Sequence, residues 1–394
     1  MPDLERLGRL RGDVAVVGVG ETDYARDYTR ARAGHRDTDA YGLAARAFSR
    51  ALADAGLTRA DVDGLIAGPT LASERLGEVL GLDVRWADQG DAINALMKAA
   101  MAVHSGMAEC VAIVYGNDQR TAGTAYGGPK ASGGERHLSY VYFAPWGLTS
   151  QGALYGLLAN RYLAEGYLTP RQLGHVAVAQ RRFATATPNA VMQRPLTIDD
   201  YLAAPFICEP LRLYDYCLIN DGGVALLVTT TDRARRLQDD PAVISGIGRS
   251  DLNRDATSLR PRLEQYYRPA QNQAAEQVQA MSGRGPADVD VLQVYDSFSV
   301  HVPLALEGFG FCPAGDAGDL LGGGQTGPGG RIPTNTSGGH LSGSYMQGWG
   351  HLVEAVRQVR GRAGQNQVEG ARTSQYISDV AGKVASVVFT KEGA

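Results

Sequence analysis

The stretch NTSGGHLSGSYMQGWGH, Asn335 to His351, gathers hydroxyl, imidazole and phenol groups in a glycine-dense turn that runs into a helical pattern. Tyr345 stands where loop becomes helix. A phenol has an ordinary pKa of about 10, so only about one in a thousand is ionised at pH 7. It is a poor resident base, but it relays protons well and donates well to a developing oxyanion. Burial alone would raise its pKa, and a nearby cation or oriented dipoles would lower it. Gly338 and Gly339 have no Cβ, so a turn built on them lets backbone N–H groups come close to a substrate oxygen. His340 lies inside the same turn and is a candidate to reach a substrate.

Other chemistries have weaker support. Cys110, Cys208, Cys217 and Cys312 lie far apart with no C-x-x-C, which argues against a zinc site or disulfide framework and fits a reducing, cytoplasmic setting. GVGETD at Gly18 lacks the third glycine of a dinucleotide fingerprint, and GGGQTGPGG lacks the Lys-Ser/Thr of a phosphate-cradling loop. With 38 Lys+Arg against 42 Asp+Glu and no block of one sign, neither nucleic acid nor a membrane surface is implied. The first residues have no apolar run behind their charges, so they do not read as a signal peptide, and no apolar run is long enough to span a bilayer.

The elements that must position these groups follow from a weak internal repeat. VAVVGVGETD (Val14 to Asp23) matches AVISGIGRSD (Ala242 to Asp251), and ADVDGLIAG from Ala60 matches ADVDVLQVY from Ala287, at nearly one offset. Helical patterns fall between the paired segments, at Tyr41 to Ala55 and Asn272 to Ser282. Strand, helix and strand in that order, with apolar strands, predict a duplicated α/β unit with a parallel or mixed sheet. The two halves would stack as a five-layer α-β-α-β-α body. We place an N-terminal half at 1–116 plus 214–237, an insertion at 117–213 and a C-terminal half at 238–394. The insertion carries a glycine-rich stretch and helical patterns at Gly152 to Glu165 and Pro170 to Thr185. Its length suits a binding-site element. Gly315 to Gly330 reads as a mobile loop.

Four segments carry a resemblance. PFICEPLRLYDYCLINDGGVALLVT (Pro205 to Thr229), VYDSFSVHVPLALEGFGFCPAGD (Val294 to Asp316), Asn335 to Gly361, and GLLANRYLAEGYLTPRQLGHVAVAQRRFATATPNA in the insertion together resemble the thiolase superfamily, sterol-carrier-protein-x or lipid-transfer-protein type. The departures matter more than the agreements. The family's nucleophilic cysteine falls at Gln89 or Gly90, in WADQGDAIN, where there is no cysteine. Its "H-D-C-F-S" histidine matches Tyr295 in YDSFS, and its "S-K-G-H-P" histidine matches Tyr345 in SGSYM. The C-terminal "C-x-G" has no counterpart in SDVAGKVAS.

This tyrosine-for-histidine pattern looks like that of the steroid side-chain aldolases. The resemblance implies retro-aldol cleavage of a β-hydroxyacyl-CoA: a 17-hydroxy steroid CoA thioester would give a 17-ketosteroid and propionyl-CoA. Tyr345 would take the hydroxyl proton and Tyr295 would protonate the enolate carbon, or the reverse. Gly338 and Gly339 would supply the oxyanion hole. Asp296 could orient a neighbour but reads more readily as a turn former, and His301 and His351 read as structural. Arg120, Lys130, Arg136, Arg181, Arg182 and Arg194 are candidates for the CoA phosphates. No metal or cofactor is expected beyond the substrate's coenzyme A. The family's dimer strand corresponds to Glu109 to Tyr115, which implies a homodimer, and a small OB-fold and zinc-ribbon acyl-CoA-binding partner would complete a heterotetramer. Two alternatives remain: an acyltransferase using another nucleophile, Cys217 or Cys312, and a non-catalytic acyl-CoA-binding scaffold.

Overall fold

The computed structural model describes residues 8–36, 38–124, 150–251, 267–380 and 383–391. The matched runs VAVVGVGE and AVISGIGRSD form β1 (Val14–Glu21) and β8 (Ala242–Asp251). The second matched pair forms β2 (Gly64–Ala67) and β9 (Val291–Val294), each entered through a short 3₁₀ turn, Arg59–Asp61 and Pro286–Asp288. The repeat is therefore structural. Its glycines serve packing. A Cβ on Gly20 would lie 2.1 Å from the Ala47 carbonyl oxygen, and one on Gly248 would lie 2.1 Å from that of Ala274. Each strand thus lets a helix lie directly on its backbone.

Those helices are α2 (Ala40–Ala55) and α9 (Arg268–Ser282). Between β1 and α2 lies α1 (Tyr24–Arg32). α2 starts where the Asp39 carboxylate accepts the Gly42 N–H and stops at Gly56, whose φ of +67° suits a residue without Cβ. Its buried face, Leu43, Ala44, Ala47, Phe48, Ala51 and Ala55, follows helical spacing. α9 begins one turn earlier than its apolar pattern suggested, with Pro269 at its start, where a missing N–H costs nothing.

Eleven strands are described, and nine of them join in one mixed sheet. Its order is β3-β2-β4-β7-β1-β8-β11-β10-β9, with β3 at Trp86–Gln89, β4 at Cys110–Asn117, β7 at Gly222–Thr230, β10 at Thr373–Val380 and β11 at Lys383–Lys391. Within the sheet, the two halves join where β1 pairs with β8, Ala15 with Val243 and Val16 with Ala242. Side chains then sort by alternation. In β7, Val224, Leu226 and Val228 face a central layer formed by α4 (Ala92–His104) and, later in the chain, Trp349–Val359, while Ala225 and Leu227 face α2 and α3 (Ser73–Leu80). In β11, Ala385, Val387 and Phe389 face the same centre, and Val384 and Val388 face α9. Five layers result, with one helical layer shared between the two sheet halves. Both faces of each half are apolar because each is covered, and a fully buried Val or Leu there contributes roughly 1.5–3 kcal/mol.

Two expectations change. β4 lies between β2 and β7, paired on both edges, so it cannot be the strand that meets a second copy; the open edge on that side is β3. And 315–330 is not simply a loop: it contains a helix, Ala317–Gly322, followed by turns closed by Ile332 N–H to Gln325 O and Thr334 N–H to Thr326 O.

Between β4 and β7 the described chain forms α5 (Gln151–Ala164), α6 (Pro170–Thr185), α7 (Ile198–Ala203) and a small ribbon of β5 (Phe206–Cys208) and β6 (Leu211–Arg212). Buried carboxylates tie this region to the C-terminal half. Glu307, on α10 (His301–Gly308), accepts from Tyr162 of α5, and Asp215 accepts from Tyr201 and from Ser299 Oγ. Ala317–Gly322 is α11 and Trp349–Val359 is α12. Among the described residues no helix is long and apolar enough to cross a membrane.

Candidate active site

Tyr295 and Tyr345 are fifty residues apart, and three fixed anchors bring them together. Tyr295 continues β9, and its N–H donates to Ile377 O of β10 at 2.8 Å. Tyr345 follows the tight turn Gly339–Gly343, and its N–H donates to Asn220 Oδ1 at 2.6 Å. Asn335 joins the two chains. Its side chain accepts the Val294 N–H at 2.7 Å and donates to Val294 O at 3.0 Å, imitating a β ladder, and its own φ is +57°. A non-glycine residue held there stores strain that the paired amide offsets. The two phenolic oxygens come to 3.4 Å, and each tyrosine keeps 8% of its surface exposed.

His340 is wedged between them. Its ring lies 4.9 Å from each tyrosine ring, edge to face, and 4.3 Å from the ring of His351. It is fully buried, so it cannot touch a substrate, contrary to the sequence-based expectation. The Gly348 N–H donates to His340 Nε2 at 2.9 Å, which leaves the proton on Nδ1, 3.3 Å from Asp296 Oδ1. Burial, then the neighbouring His351 and His301, hold its pKa well below the usual range. His340 is a neutral spacer that sets the distance between the phenols.

Asp296 and His351 also depart from their expected roles. Asp296 is fully buried and forms no turn: it accepts the His340 backbone N–H at 3.0 and 3.1 Å and pairs with His351 Nε2 at 2.9 Å. His351 is part of this cluster as well as of α12. Because alternate residues of an extended chain face opposite ways, the residue after Tyr295 reaches behind it and grips the Tyr345 turn. His301 faces Ser297 Oγ at 3.1 Å and lies 5.8 Å from the Tyr295 ring, and burial pushes its pKa down to about 3. Asp296, His340 and His351 are residue types that bind metals, and their ligand atoms lie within 4.8 Å of one another. Within this group, Asp296 accepts the His340 backbone N–H and pairs with His351 Nε2, and His340 Nε2 accepts the Gly348 N–H.

The expected oxyanion donors are only partly available. Gly338 donates to Asn335 O at 2.8 Å, so its N–H holds the turn and does not face a substrate. Gly339, with φ +57°, is required for another reason: a Cβ there would lie 2.5 Å from Asp296 Oδ2. It lines a cavity of about 220 Å³ together with Ser344 and His351.

Of the CoA-phosphate candidates, Arg181 is buried and committed to Ser342 Oγ at 2.9 Å and Arg194 O at 3.0 Å, which excludes it. The Arg120 guanidinium stacks on Tyr28 at 4.6 Å. Arg182 and Arg194 are exposed. Lys130 and Arg136 lie outside the described residues.

The cysteine slot of the family, Gln89–Gly90, ends β3 just before Asp91 caps α4. Tyr376 is the link to the site: it interacts electrostatically with Tyr295, Asp91 and Asp296. Neither rival cysteine suits nucleophilic work. Burial raises both thiol pKa values, Cys217 well above the usual range and Cys312 to about 12, so neither forms a thiolate readily.

Comparison with known proteins places the chain in a family. A model of the thiolase C-terminal domain-like family matches residues 256–389. A steroid side-chain-cleaving aldolase of Thermomonospora curvata is 34% identical over 366 residues, covering 89% of this chain and 91% of that protein. The 17-hydroxy-3-oxo-4-pregnene-20-carboxyl-CoA lyase of Mycobacterium tuberculosis is 35% identical over 372 residues, covering 89% and 92%. Among solved structures, the Ltp2-ChsH2(DUF35) aldolase superposes with a TM-score of 0.87 at 30% identity, covering 98% of this chain and 99% of that one. Human mitochondrial 3-ketoacyl-CoA thiolase, at TM-score 0.68 and 14% identity over 98% and 99% of the two chains, shares the fold alone. With its five layers and with 34% and 35% identity to these two proteins over 89% of its length, this chain belongs to the thiolase superfamily, among the steroid side-chain-cleaving aldolases.

Proposed function

We propose that this chain catalyses retro-aldol cleavage of a 17-hydroxy steroid bearing a CoA-thioester side chain, releasing a 17-ketosteroid and propionyl-CoA. The observation that carries this reading is the 3.4 Å approach of the Tyr295 and Tyr345 hydroxyls. At that distance the two phenols can pass protons in sequence. The substrate hydroxyl gives its proton to Tyr345, Tyr345 gives its own to Tyr295, and Tyr295 gives its own to the α-carbon. Meanwhile the Cα–Cβ bond breaks, its electron pair passes into the thioester enolate, and the hydroxyl carbon becomes the ketone. Both tyrosines end as they began, so neither needs to be ionised beforehand. That removes the objection that a phenol is a weak base at neutral pH. The reverse assignment uses the same contact. The chemistry needs no cofactor beyond the coenzyme A of the substrate.

The aldolase structure that superposes with a TM-score of 0.87 carries a DUF35 subunit in its name. This supports a small OB-fold and zinc-ribbon partner here, which would contribute to CoA binding where Arg181 cannot. A homodimer would form along the open edge of β3, whose residues alternate between half-buried and exposed. The test is a panel of β-hydroxyacyl-CoA thioesters, including the 17-hydroxy steroid compound, incubated with the chain alone and with such a partner. Mass spectrometry should detect equimolar ketosteroid and propionyl-CoA. Acyl transfer to free CoA, or binding without turnover in both arms, would refute the reading.

A further inference from the structure

A second site lies away from the tyrosine pair, in the cleft between α1 and α2. Arg26 and Arg30 stand one helical turn apart on α1, and Arg46 and Arg50 stand one turn apart on α2. All four line a cavity of about 300 Å³ together with Thr22, Asp23 and Asp27. None of the tyrosine cluster lines it. Residues four apart share a helix face, so each helix contributes a pair of arginines to the lining.

The two carboxyl groups in the cleft do not neutralise this charge evenly. Asp23 is spent on capping α1, where Oδ1 accepts the Arg26 N–H at 3.0 Å. Asp27 is 8% exposed, and its Oδ2 has no hydrogen-bond partner among the described residues. A buried carboxylate oxygen left without a donor is costly. Burial accordingly raises the pKa of Asp27, with a hydrogen bond from the Thr22 hydroxyl and then the Arg46 charge opposing the rise and Asp23 and Asp221 adding to it. The cleft thus combines four arginines with one carboxylate oxygen that lacks a donor among the described residues. It continues, through Thr22, Asp23 and Arg50, into a neighbouring cavity of about 370 Å³ that also reaches Arg357.

We propose that this cleft binds a diphosphate group, free or carried on a nucleotide. Guanidinium forks match phosphate oxygens in pairs. A ribose hydroxyl or a base amine would supply the donor that Asp27 Oδ2 lacks, which favours a nucleotide over an acidic protein surface. A concave site of this volume also fits a small ligand better than a protein side chain.

The experiment is calorimetric titration of the full chain with inorganic pyrophosphate and, separately, with ADP, compared with the Arg26→Ala/Arg46→Ala variant. Arg50 is left in place because its guanidinium also holds the Glu21 carbonyl. Wild type should bind at one saturable site that weakens with added salt. Each guanidinium removed should weaken binding about 10-fold, so about 100-fold for the pair. An unchanged thermal midpoint and unchanged steroid-thioester cleavage in the variant would separate loss of the site from loss of the fold or of the tyrosine chemistry. Pyrophosphate binding identifies the phosphates alone as the ligand, and ADP binding without pyrophosphate binding identifies a nucleotide. Absence of saturable binding by both, or equal affinity in the double variant, overturns the proposal.

Discussion

If Tyr295 and Tyr345 form one proton relay, removing either hydroxyl should cost as much as removing both. Phenylalanine is the right perturbation because it keeps the ring packed against His340, 4.9 Å away on each side, and deletes only the oxygen. The hydroxyl contact is long at 3.4 Å, so its net contribution to stability is at the low end for a hydrogen bond, about 0.5 kcal/mol. General acid–base catalysis is worth about 10²- to 10⁴-fold, or roughly 3–5.5 kcal/mol of barrier. Each single variant should therefore lose two to four orders of magnitude in turnover with almost no change in unfolding free energy. The double variant should be no slower than the slower single one, giving a coupling energy close to the whole effect. The assay is ketosteroid release under single-turnover conditions, with denaturant unfolding in parallel. Losses that multiply in the double variant would mean two independent roles. Near-wild-type turnover in either single variant would remove that phenol from the mechanism.

Two further predictions concern the support of the site. Asp296→Asn puts an amide N–H₂ against the His340 N–H or the His351 ring and removes a charge-assisted acceptor. It should cost about 2–4 kcal/mol of stability and slow turnover through a displaced Tyr345; unchanged denaturant midpoints would contradict the bridging role. His301 and His340 are held neutral by burial, with folded pKa values below the unfolded value of about 6.5, so the unfolded chain takes up protons first as pH falls. Their stabilising contribution is present above pH 6.5 and is lost progressively from there down toward about 3, the folded value of His301. Asp215 and Glu354, raised by burial, act in the opposite sense. The clean measurement is therefore a difference: His301→Gln should flatten the fall in stability between about pH 6.5 and 4.5 relative to wild type. Parallel curves would count against a neutral buried His301.

The duplicated half was legible in the chain because strand alternation and glycine placement are local. GVG and GIG occur at matching places since each strand must let a helix carbonyl approach. The two phenols were equally easy to single out, because each is a residue type that stands out beside its glycine turn or strand end. The turn glycines were harder to read. Gly338 looked like a substrate donor, yet its N–H closes the turn on Asn335. Arg181 looked like a phosphate ligand, yet it is buried against Ser342.

The sequence alone thus pointed to the layered architecture and singled out the two phenols that the fold brings to 3.4 Å. Only the tertiary structure decided which groups hold them. Asp296, His340 and His351 join into one cluster through contacts spanning some fifty residues of chain, and no local pattern encodes a contact that forms only when β9, the glycine turn and α12 pack together. The same holds for the cleft between α1 and α2. Its four arginines lie up to 24 residues apart in the chain and line one cavity only because α1 and α2, each set by its own cap, pack beside it.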